Sequence, residues 1–248
     1  MHTEILAIAF DLDYTLYNQP SGIGGLARRV LEALELGKVL SMTDSELLEL
    51  IRKGPEAWLK QYMLTNNVSP NWQPSTEIWI EYCKRLIESL GICPCSEDIA
   101  ANLKKEWEKY GPPGRGFFRP KIVNGCNEML WELHKRGYRL GLCTNRIYNP
   151  SPVLKEDLIL DIFDSIEHSG VPGYEKPSPY LLFRFAECVG VNPQRCAYVG
   201  DRLDIDVKAA VNAGMLPVLA NWCNCSSELA INDILLARNS KDILTYFP

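Results

Sequence analysis

The sequence has 248 residues, of which 46% are hydrophobic, 10% aromatic and 23% charged. A chain of this length and composition can bury a hydrophobic core, which excludes an intrinsically disordered, collagen-like or coiled-coil protein. The net charge of −5 gives no general attraction to nucleic acids or to anionic membranes, so we expect neither as a partner.

Strands and helices alternate along most of the chain. Residues 4–10 are a nearly continuous apolar run, which is typical of a strand buried on both faces of a parallel sheet. Shorter strands are predicted further along, at residues 138–143, 165–167, 196–199 and 216–220. Helices are predicted between them, at residues 124–136, 179–189 and 204–213. This alternation predicts an α/β fold with a mostly parallel sheet.

A long segment interrupts the alternation after the first strand. Residues 20–116 have helical periodicity and no convincing buried strand, and glycine and proline clusters lie at both of its ends, residues 20–25 and 111–116. Helices are predicted inside it at residues 75–90 and 96–110. We therefore predict an inserted helical module that divides the main domain into residues 1–19 and 117–248.

The sequence shows no sign of secretion or of a membrane span. No apolar run approaches the roughly 18 residues of a membrane-spanning helix, and residues 1–4 carry no basic region or cleavage site. We therefore expect a cytoplasmic protein. The nine cysteines favour reduced, packed thiols. Two C-x-C pairs, Cys93/Cys95 and Cys223/Cys225, lack the spacing of a zinc site, so packing is the expected role.

Two aspartates directly follow the first predicted strand. Asp11 and Asp13 are spaced i and i+2, so in extended backbone their carboxylates point the same way. Converging carboxylates repel each other unless a cation neutralises them or they share a proton, which indicates a hard-metal site or acid/base chemistry. The alternative is an aspartate that caps the next turn beside a solvent-exposed partner.

Further polar groups follow the next strands. Thr144 and Asn145 place a hydroxyl and free backbone amides at the end of the second strand, where they suit phosphate oxygens, although a simple Thr-Asn turn is the alternative. Lys176 precedes a helix whose N-terminal amides would add positive potential, although a single lysine is usually a solvated surface charge.

Three aspartates follow the fourth strand, where a loop becomes a helix. An N-cap role accounts for Asp204 but not for Asp201 and Asp206 as well. A carboxylate cluster that faces Asp11 and Asp13 would complete an oxygen-ligand site for Mg²⁺. Because ligands of open α/β sheets bind outside the carboxyl ends of the strands, these groups are expected to meet at one edge.

Taken in chain order, the acid pair, the hydroxyl, the lysine and the acid cluster resemble the four motifs of the haloacid dehalogenase superfamily. The resemblance spans residues 5–220, and its last motif, GDRLDID, resembles phosphatases of the phosphoglycolate phosphatase type. It implies a three-layer α/β/α, Rossmann-like core with a parallel sheet. It also implies that residues 20–116 are an inserted helical cap of type 1.

The resemblance assigns a role to each motif residue. Asp11 corresponds to the nucleophile that forms an aspartyl-phosphate, and Asp13 to the general acid/base. Lys176 corresponds to a catalytic and phosphate-binding residue. The remaining phosphate-binding candidates are Thr144 and Asn145.

The resemblance also implies a magnesium ion as the cofactor. Its ligands would be Asp11, Asp201 and the backbone carbonyl of Asp13, while Asp206, or alternatively Asp204, would be the supporting acid. Asp13 further favours phosphate chemistry, because a dehalogenase needs no acid for its leaving group.

These features predict a Mg²⁺-dependent phosphatase that hydrolyses a small phosphorylated metabolite. One alternative is a phosphomutase similar to β-phosphoglucomutase, which returns the phosphoryl group to a sugar. Another is a binding protein that keeps the fold and has lost catalysis. The sequence gives no indication of the oligomeric state or of the substrate.

Overall fold

The computed structural model describes residues 4–18, 22–36, 41–109, 121–223 and 234–248. They divide into two compact units, one drawn from residues 1–18 and 121–248 and the other from residues 19–120.

The sheet-containing unit holds eight strands among its described residues. They are β1 (Ala7–Phe10), β2 (Tyr17–Asn18), β3 (Lys121–Ile122), β4 (Arg139–Thr144), β5 (Ser165–His168), β6 (Cys196–Gly200), β7 (Leu216–Ala220) and β8 (Leu235–Ala237). Six of them form one sheet in the order β5-β4-β1-β6-β7-β8, and every neighbouring pair is parallel. The predicted α/β fold with a parallel sheet is confirmed.

Ten α-helices lie within the described residues. The inserted unit contains α1 (Gly22–Ala33), α2 (Asp44–Ile51), α3 (Ala57–Thr65), α4 (Thr76–Ser89) and α5 (Glu97–Lys109). The sheet-containing unit contains α6 (Cys126–Lys135), α7 (Ser151–Glu156), α8 (Tyr180–Val189), α9 (Lys208–Ala213) and α10 (Ser240–Tyr246).

Strand β1 shows how the sheet is buried between two helical layers. Its larger side chains, Ile8 and Phe10, lie in a core with residues of α6, α7 and α10. Its alternate residues, Ala7 and Ala9, lie in a second core with residues of α8 and α9. Since successive side chains of a strand point to opposite faces, an apolar residue is needed at every position, which explains the continuous apolar run.

Close packing of α8 on the sheet depends on a glycine in β4. A Cβ built on Gly141 would lie 2.2 Å from the ring of Phe185, a distance that no side chain tolerates. The absence of a side chain at this position lets α8 approach the strands that carry the candidate site.

The sequence did not predict the shortest elements. Strands β2 and β3 have two residues each and form a separate antiparallel pair. Strand β8 has three residues, and α10 follows it with Asn239 as its N-cap. Elements this short have too few residues to show a clear hydrophobic period.

The inserted unit is helical over its described ranges, 22–36 and 41–109, with no strand among them, as predicted. Ser75 caps α4 by accepting a hydrogen bond from the backbone of Ile78. A π-helical segment, Arg52–Glu56, connects α2 to α3.

Within the glycine cluster before the insert, residues 22–25 form the start of α1. Gly24 lies in α1, where a Cβ would lie 2.3 Å from the carbonyl oxygen of Asp44. A glycine here therefore permits α1 and α2 to approach closely. The other predicted junction, residues 111–116, lies outside the described residues.

Two further expectations concern membranes and cysteines. Over the part of the chain that the structure describes, no helix is both long enough and apolar enough to cross a membrane. Cys93, Cys95 and Cys223 are free thiols, as are the other described cysteines. Cys225 lies outside the described residues.

Candidate active site

Three of the candidate residues lie at the carboxyl ends of neighbouring strands, at one edge of the sheet. Asp11 follows β1, Thr144 ends β4 and Asp201 follows β6, and β1 lies between the other two strands. All three side chains are buried. Because the strands are parallel, their carboxyl ends lie together, and Asp11 meets side chains that are more than 130 positions away in sequence.

Lys176 is the centre of a buried hydrogen-bond network. Its ammonium donates to Asp11 Oδ1 at 2.6 Å and to Asp206 Oδ1 at 2.7 Å. It also donates to the hydroxyl of Tyr198 at 2.6 Å. Only 3% of the residue is exposed. The three contacts satisfy the three N–H donors of the ammonium, which allows the charge to be buried.

Asp206 reaches this network because the chain is tightly folded after β6. A π-helical segment, Leu203–Val207, begins there, and Asp206 Oδ2 accepts a hydrogen bond from the backbone N–H of Arg202 at 3.0 Å. A Cβ on Gly200 would lie 2.4 Å from the Asp206 side chain. Glycine at position 200 therefore permits the acid to fold back over the end of β6.

Asp204 is not brought into the network. Its carboxylate pairs with the guanidinium of Arg202, through contacts of 3.1 Å and 2.7 Å, and its side chain is 68% exposed. Of the two candidate supporting acids, the structure places Asp206 at the site and Asp204 on the surface.

Three buried acids form a group with the geometry of a cation site. One carboxylate oxygen each from Asp11, Asp201 and Asp206 lies within 4.8 Å of the others. Oxygen ligands of this kind suit Mg²⁺. The side chain of Asp13 is not in this group.

The electrostatics of these acids support a cation at this position. Burial raises the pKa of Asp11 to about 8; the ammonium of Lys176 opposes this increase, while Asp206 and Asp13 add to it. Burial and the nearby charge of Asp206 raise the pKa of Asp201 to about 7. Three carboxylates thus face a single ammonium, and negative charge is in excess where water is excluded. A divalent cation would balance this charge, so the residues fit Mg²⁺.

The ammonium of Lys176 keeps its charge despite its burial. Burial alone lowers the pKa of Lys176, but the carboxylates of Asp11 and Asp206 outweigh this effect and raise the pKa above its ordinary value. A fixed positive charge therefore lies beside Asp11, where it can stabilise an anionic group.

Asn145 anchors the backbone of Lys176. Its carboxamide nitrogen donates to the carbonyl oxygen of Lys176 at 2.9 Å, and its oxygen accepts from the Lys176 N–H at 2.7 Å. In this structure the side chain predicted to bind phosphate thus links two loops. Thr144, one residue earlier, is 1% exposed at the same edge.

Asp13 lies two residues beyond Asp11, in a sharp turn. The next residue, Tyr14, has a positive φ of 59°. Arg146 Nε donates to Asp13 Oδ2 at 2.7 Å, and Arg146 Nη2 donates to Asp13 Oδ1. Both oxygens of the candidate general acid/base therefore contact one guanidinium.

Sequence reasoning missed two residues at this edge, Tyr198 and Arg146. Tyr198 lies inside an otherwise apolar strand, a position that predicts a core side chain, although its hydroxyl also donates to the Cys143 carbonyl at 2.8 Å. A tyrosine in a strand that is otherwise made of small and apolar residues is the one signal that could have drawn attention to it. Nothing in the local pattern indicates the partner of Arg146.

The sequence of this chain is similar to those of known hydrolases. Residues 8–220 match the family model of haloacid dehalogenase-like hydrolases. A curated relative, glyceraldehyde 3-phosphate phosphatase from Methanopyrus kandleri, is 36% identical, over 86% of this chain and 83% of the relative. Phosphoglycolate phosphatase from Salmonella typhi is 27% identical, over 85% of this chain and 79% of the relative.

A solved structure shares the fold. The crystal structure of a predicted phosphoglycolate phosphatase from Haemophilus somnus is similar with a TM-score of 0.67 at 19% identity, and the match covers 99% of each chain. The likeness concerns the fold of the whole chain.

Proposed function

The chain belongs to the haloacid dehalogenase-like hydrolase family, and from this premise we propose that it is a Mg²⁺-dependent phosphatase that acts through an aspartyl-phosphate. Its substrate is a small phosphorylated metabolite. The observation that carries the proposal is the buried contact between Asp11 and Lys176, with Asp201 and Asp206 beside it.

Asp11 is the proposed nucleophile. Its carboxylate attacks phosphorus, a bond forms between oxygen and phosphorus, and the bond from phosphorus to the leaving-group oxygen breaks. Lys176 orients the carboxylate through Oδ1 and places positive charge beside the transferring group. The contact to a buried and fully hydrogen-bonded ammonium supports this role, because it fixes the carboxylate before substrate arrives.

Asp13 is the proposed general acid/base. It gives a proton to the leaving-group oxygen in the first step and takes a proton from the attacking water in the second. Water then cleaves the aspartyl-phosphate, which releases inorganic phosphate and restores Asp11. The position of Asp13, two residues after the nucleophile and in the turn that follows β1, supports its assignment as the general acid/base.

Asp11, Asp201 and Asp206 would hold Mg²⁺, with Asp206 as the supporting acid and the backbone carbonyl of Asp13 as a further ligand. When bound, the ion neutralises charge on the phosphoryl group and orients it. Thr144 is the proposed phosphate-binding hydroxyl. We assign the helical unit of residues 19–120 as the type 1 cap.

The relatives indicate the substrate class. Glyceraldehyde 3-phosphate and phosphoglycolate, the compounds in their names, are both short alkyl phosphates. We propose a substrate of this size and type, and hydrolysis rather than transfer to a second hydroxyl, because the relatives are phosphatases.

The test is a screen of short alkyl phosphates, with phosphate release measured in Mg²⁺ and in EDTA. We expect hydrolysis of at least one compound in Mg²⁺ and a loss of at least about 100-fold in EDTA, because a catalytic metal contributes several kcal/mol of transition-state stabilisation. Isomerisation of a sugar phosphate without phosphate release would instead favour a phosphomutase. Release that persists in EDTA would contradict the role of the metal.

A further inference from the structure

Arg146 is built into the site more firmly than a surface arginine. Its side chain is 9% exposed, and it faces both oxygens of Asp13 with its Nε and Nη2 atoms. A two-point contact of this kind fixes a carboxylate in both position and plane, because a planar guanidinium fork matches the two oxygens.

The loop that carries Arg146 is held in place on both sides. The carbonyl of Thr144 accepts a hydrogen bond from the N–H of Ser169 at 3.2 Å. Asn145 makes its two hydrogen bonds with the backbone of Lys176. The guanidinium therefore extends from a segment that is hydrogen-bonded to the backbone of Lys176, the lysine of the site.

One nitrogen of the Arg146 guanidinium is buried without a hydrogen bond to any described residue. Its Nη1 atom is buried and has no hydrogen-bond partner among the described residues. A buried donor without an acceptor costs free energy, so this arginine is not placed for the best stability of its own side chain. The hydrogen bonds that this guanidinium does make with a side chain are those to Asp13.

We propose that Arg146 is a positioning residue that holds the Asp13 carboxyl group toward the leaving-group oxygen of the substrate. This inference rests on the proposed function, in which Asp13 donates a proton to that oxygen. During the transfer one Asp13 oxygen carries the proton, and the guanidinium holds the group through the other oxygen. The proton passes to the leaving-group oxygen as its bond to phosphorus breaks, and Arg146 keeps its charge throughout.

Another arginine–aspartate pair on the same unit serves as the control. Arg139 lies at the opposite end of β4 from Thr144, and its Nη1 donates to Asp164 Oδ1 at 2.7 Å, with side chains that are 61% and 27% exposed. Arg139→Gln removes a guanidinium from an aspartate without touching Asp13 or the acids of the cation site.

The test compares substrates that differ in their need for an acid. Glyceraldehyde 3-phosphate and 2-phosphoglycolate have alkoxide leaving groups that need protonation, whereas p-nitrophenyl phosphate releases a stable phenolate without it. Because kcat/KM reports the steps up to leaving-group departure, we expect Arg146→Gln to lower kcat/KM about 10- to 100-fold for the alkyl phosphates and less than about threefold for the aryl phosphate. Arg139→Gln should change neither by more than about twofold.

Three further variants separate positioning from general damage. Asp13→Asn should also lower kcat/KM more for the alkyl phosphates than for the aryl phosphate, with a larger loss than Arg146→Gln. The double variant should lose less than about twofold more kcat/KM than Asp13→Asn alone, because the two residues act as one unit. Arg146→Lys keeps the charge without the fork, so it should retain the fold and recover only part of the alkyl activity. If Arg146→Gln does not fold, Arg146→Lys carries the comparison.

Equal losses on both kinds of substrate, or no loss on either, would overturn the role of Arg146 while leaving the phosphatase intact. A wild-type protein that hydrolyses none of the three compounds, nor any other phosphate ester in the metabolite screen, would instead remove the proposed function and this inference with it. The two failures are therefore distinguished by the wild-type activity alone.

Discussion

The ammonium of Lys176 lies 2.6 Å from the Asp11 carboxylate, and this contact joins residues that are 165 positions apart in the chain. Both groups are almost fully buried, with exposed side-chain fractions of 2% and 9%. The pair brings a fixed positive charge to the carboxylate that we assign as the nucleophile. It also makes the stability of the sheet-containing unit depend on a group that we assign to the active site.

Replacement of Lys176 by methionine leaves Asp11 and Asp206 buried without their counter-charge. We expect the free energy of unfolding of the metal-free protein to fall by about 3–5 kcal/mol, the range measured when one partner of a buried ion pair is removed. Urea denaturation in EDTA measures this change. Lys208→Met, at an exposed position of α9, is the control and should change the value by less than about 0.5 kcal/mol. Equal values for the two variants would contradict the buried network.

Asp206 and Asp204 provide a matched comparison within one short segment. Asp206→Asn weakens both the cation site and the contact with Lys176, so we expect kcat to fall at least about 30-fold, equivalent to 2 kcal/mol of transition-state stabilisation. Asp204→Asn removes only an exposed contact to Arg202 and should leave kcat within about twofold. Steady-state rates at saturating Mg²⁺ test the pair, and the reverse order would identify Asp204 as the supporting acid.

Tyr198→Phe removes one of the three acceptors of the Lys176 ammonium. We expect about a tenfold loss of kcat together with a loss of stability of about 1–3 kcal/mol, because the ammonium N–H and the Cys143 carbonyl are left unpaired. Tyr246→Phe is the control, since the Tyr246 hydroxyl also donates to a backbone carbonyl, that of Leu236 at 2.6 Å. It should lose stability while kcat stays unchanged. If Tyr198→Phe behaves in the same way, the tyrosine is only structural.

Binding of Mg²⁺ is expected to stabilise the folded protein, because the ion balances the charge of three buried carboxylates. Saturation at about 100 times the dissociation constant adds about 2.7 kcal/mol, which thermal denaturation detects as a rise in Tm. Asp201→Asn removes one of the three acids and should abolish most of the rise, whereas Asp204→Asn should keep it. An unchanged rise in Asp201→Asn would exclude Asp201 as a ligand.

The positions of Asp11, Thr144 and Asp201 were predictable from the sequence. Each follows a short apolar run, and parallel strands bring their carboxyl ends together, so three local patterns were enough to place them at one edge. The burial of Lys176 was harder to predict, because a single lysine is usually solvated and its partners lie on other elements.

The choice between Asp206 and Asp204, and the roles of Tyr198 and Arg146, required the structure. A regular helical period does not describe the π-helical segment after Arg202, so the sequence could not show which acid turns inward. The partner of Arg146 is 133 positions away, and that of Tyr198 is a lysine on a separate loop. Contacts of this range depend on the tertiary fold, and no local pattern carries them.

In the proposed mechanism, Asp11 becomes covalently phosphorylated. Rapid mixing with a ³²P-labelled substrate, acid quenching and peptide mapping test it directly. We expect hydroxylamine-sensitive label on the peptide that contains Asp11, and no label in Asp11→Asn. With an aryl phosphate as substrate, Asp13→Asn should accumulate more label than the wild type, because loss of the base slows hydrolysis of the intermediate. Turnover of Asp11→Asn at a rate near that of the wild type, or label on any other residue, would contradict the mechanism.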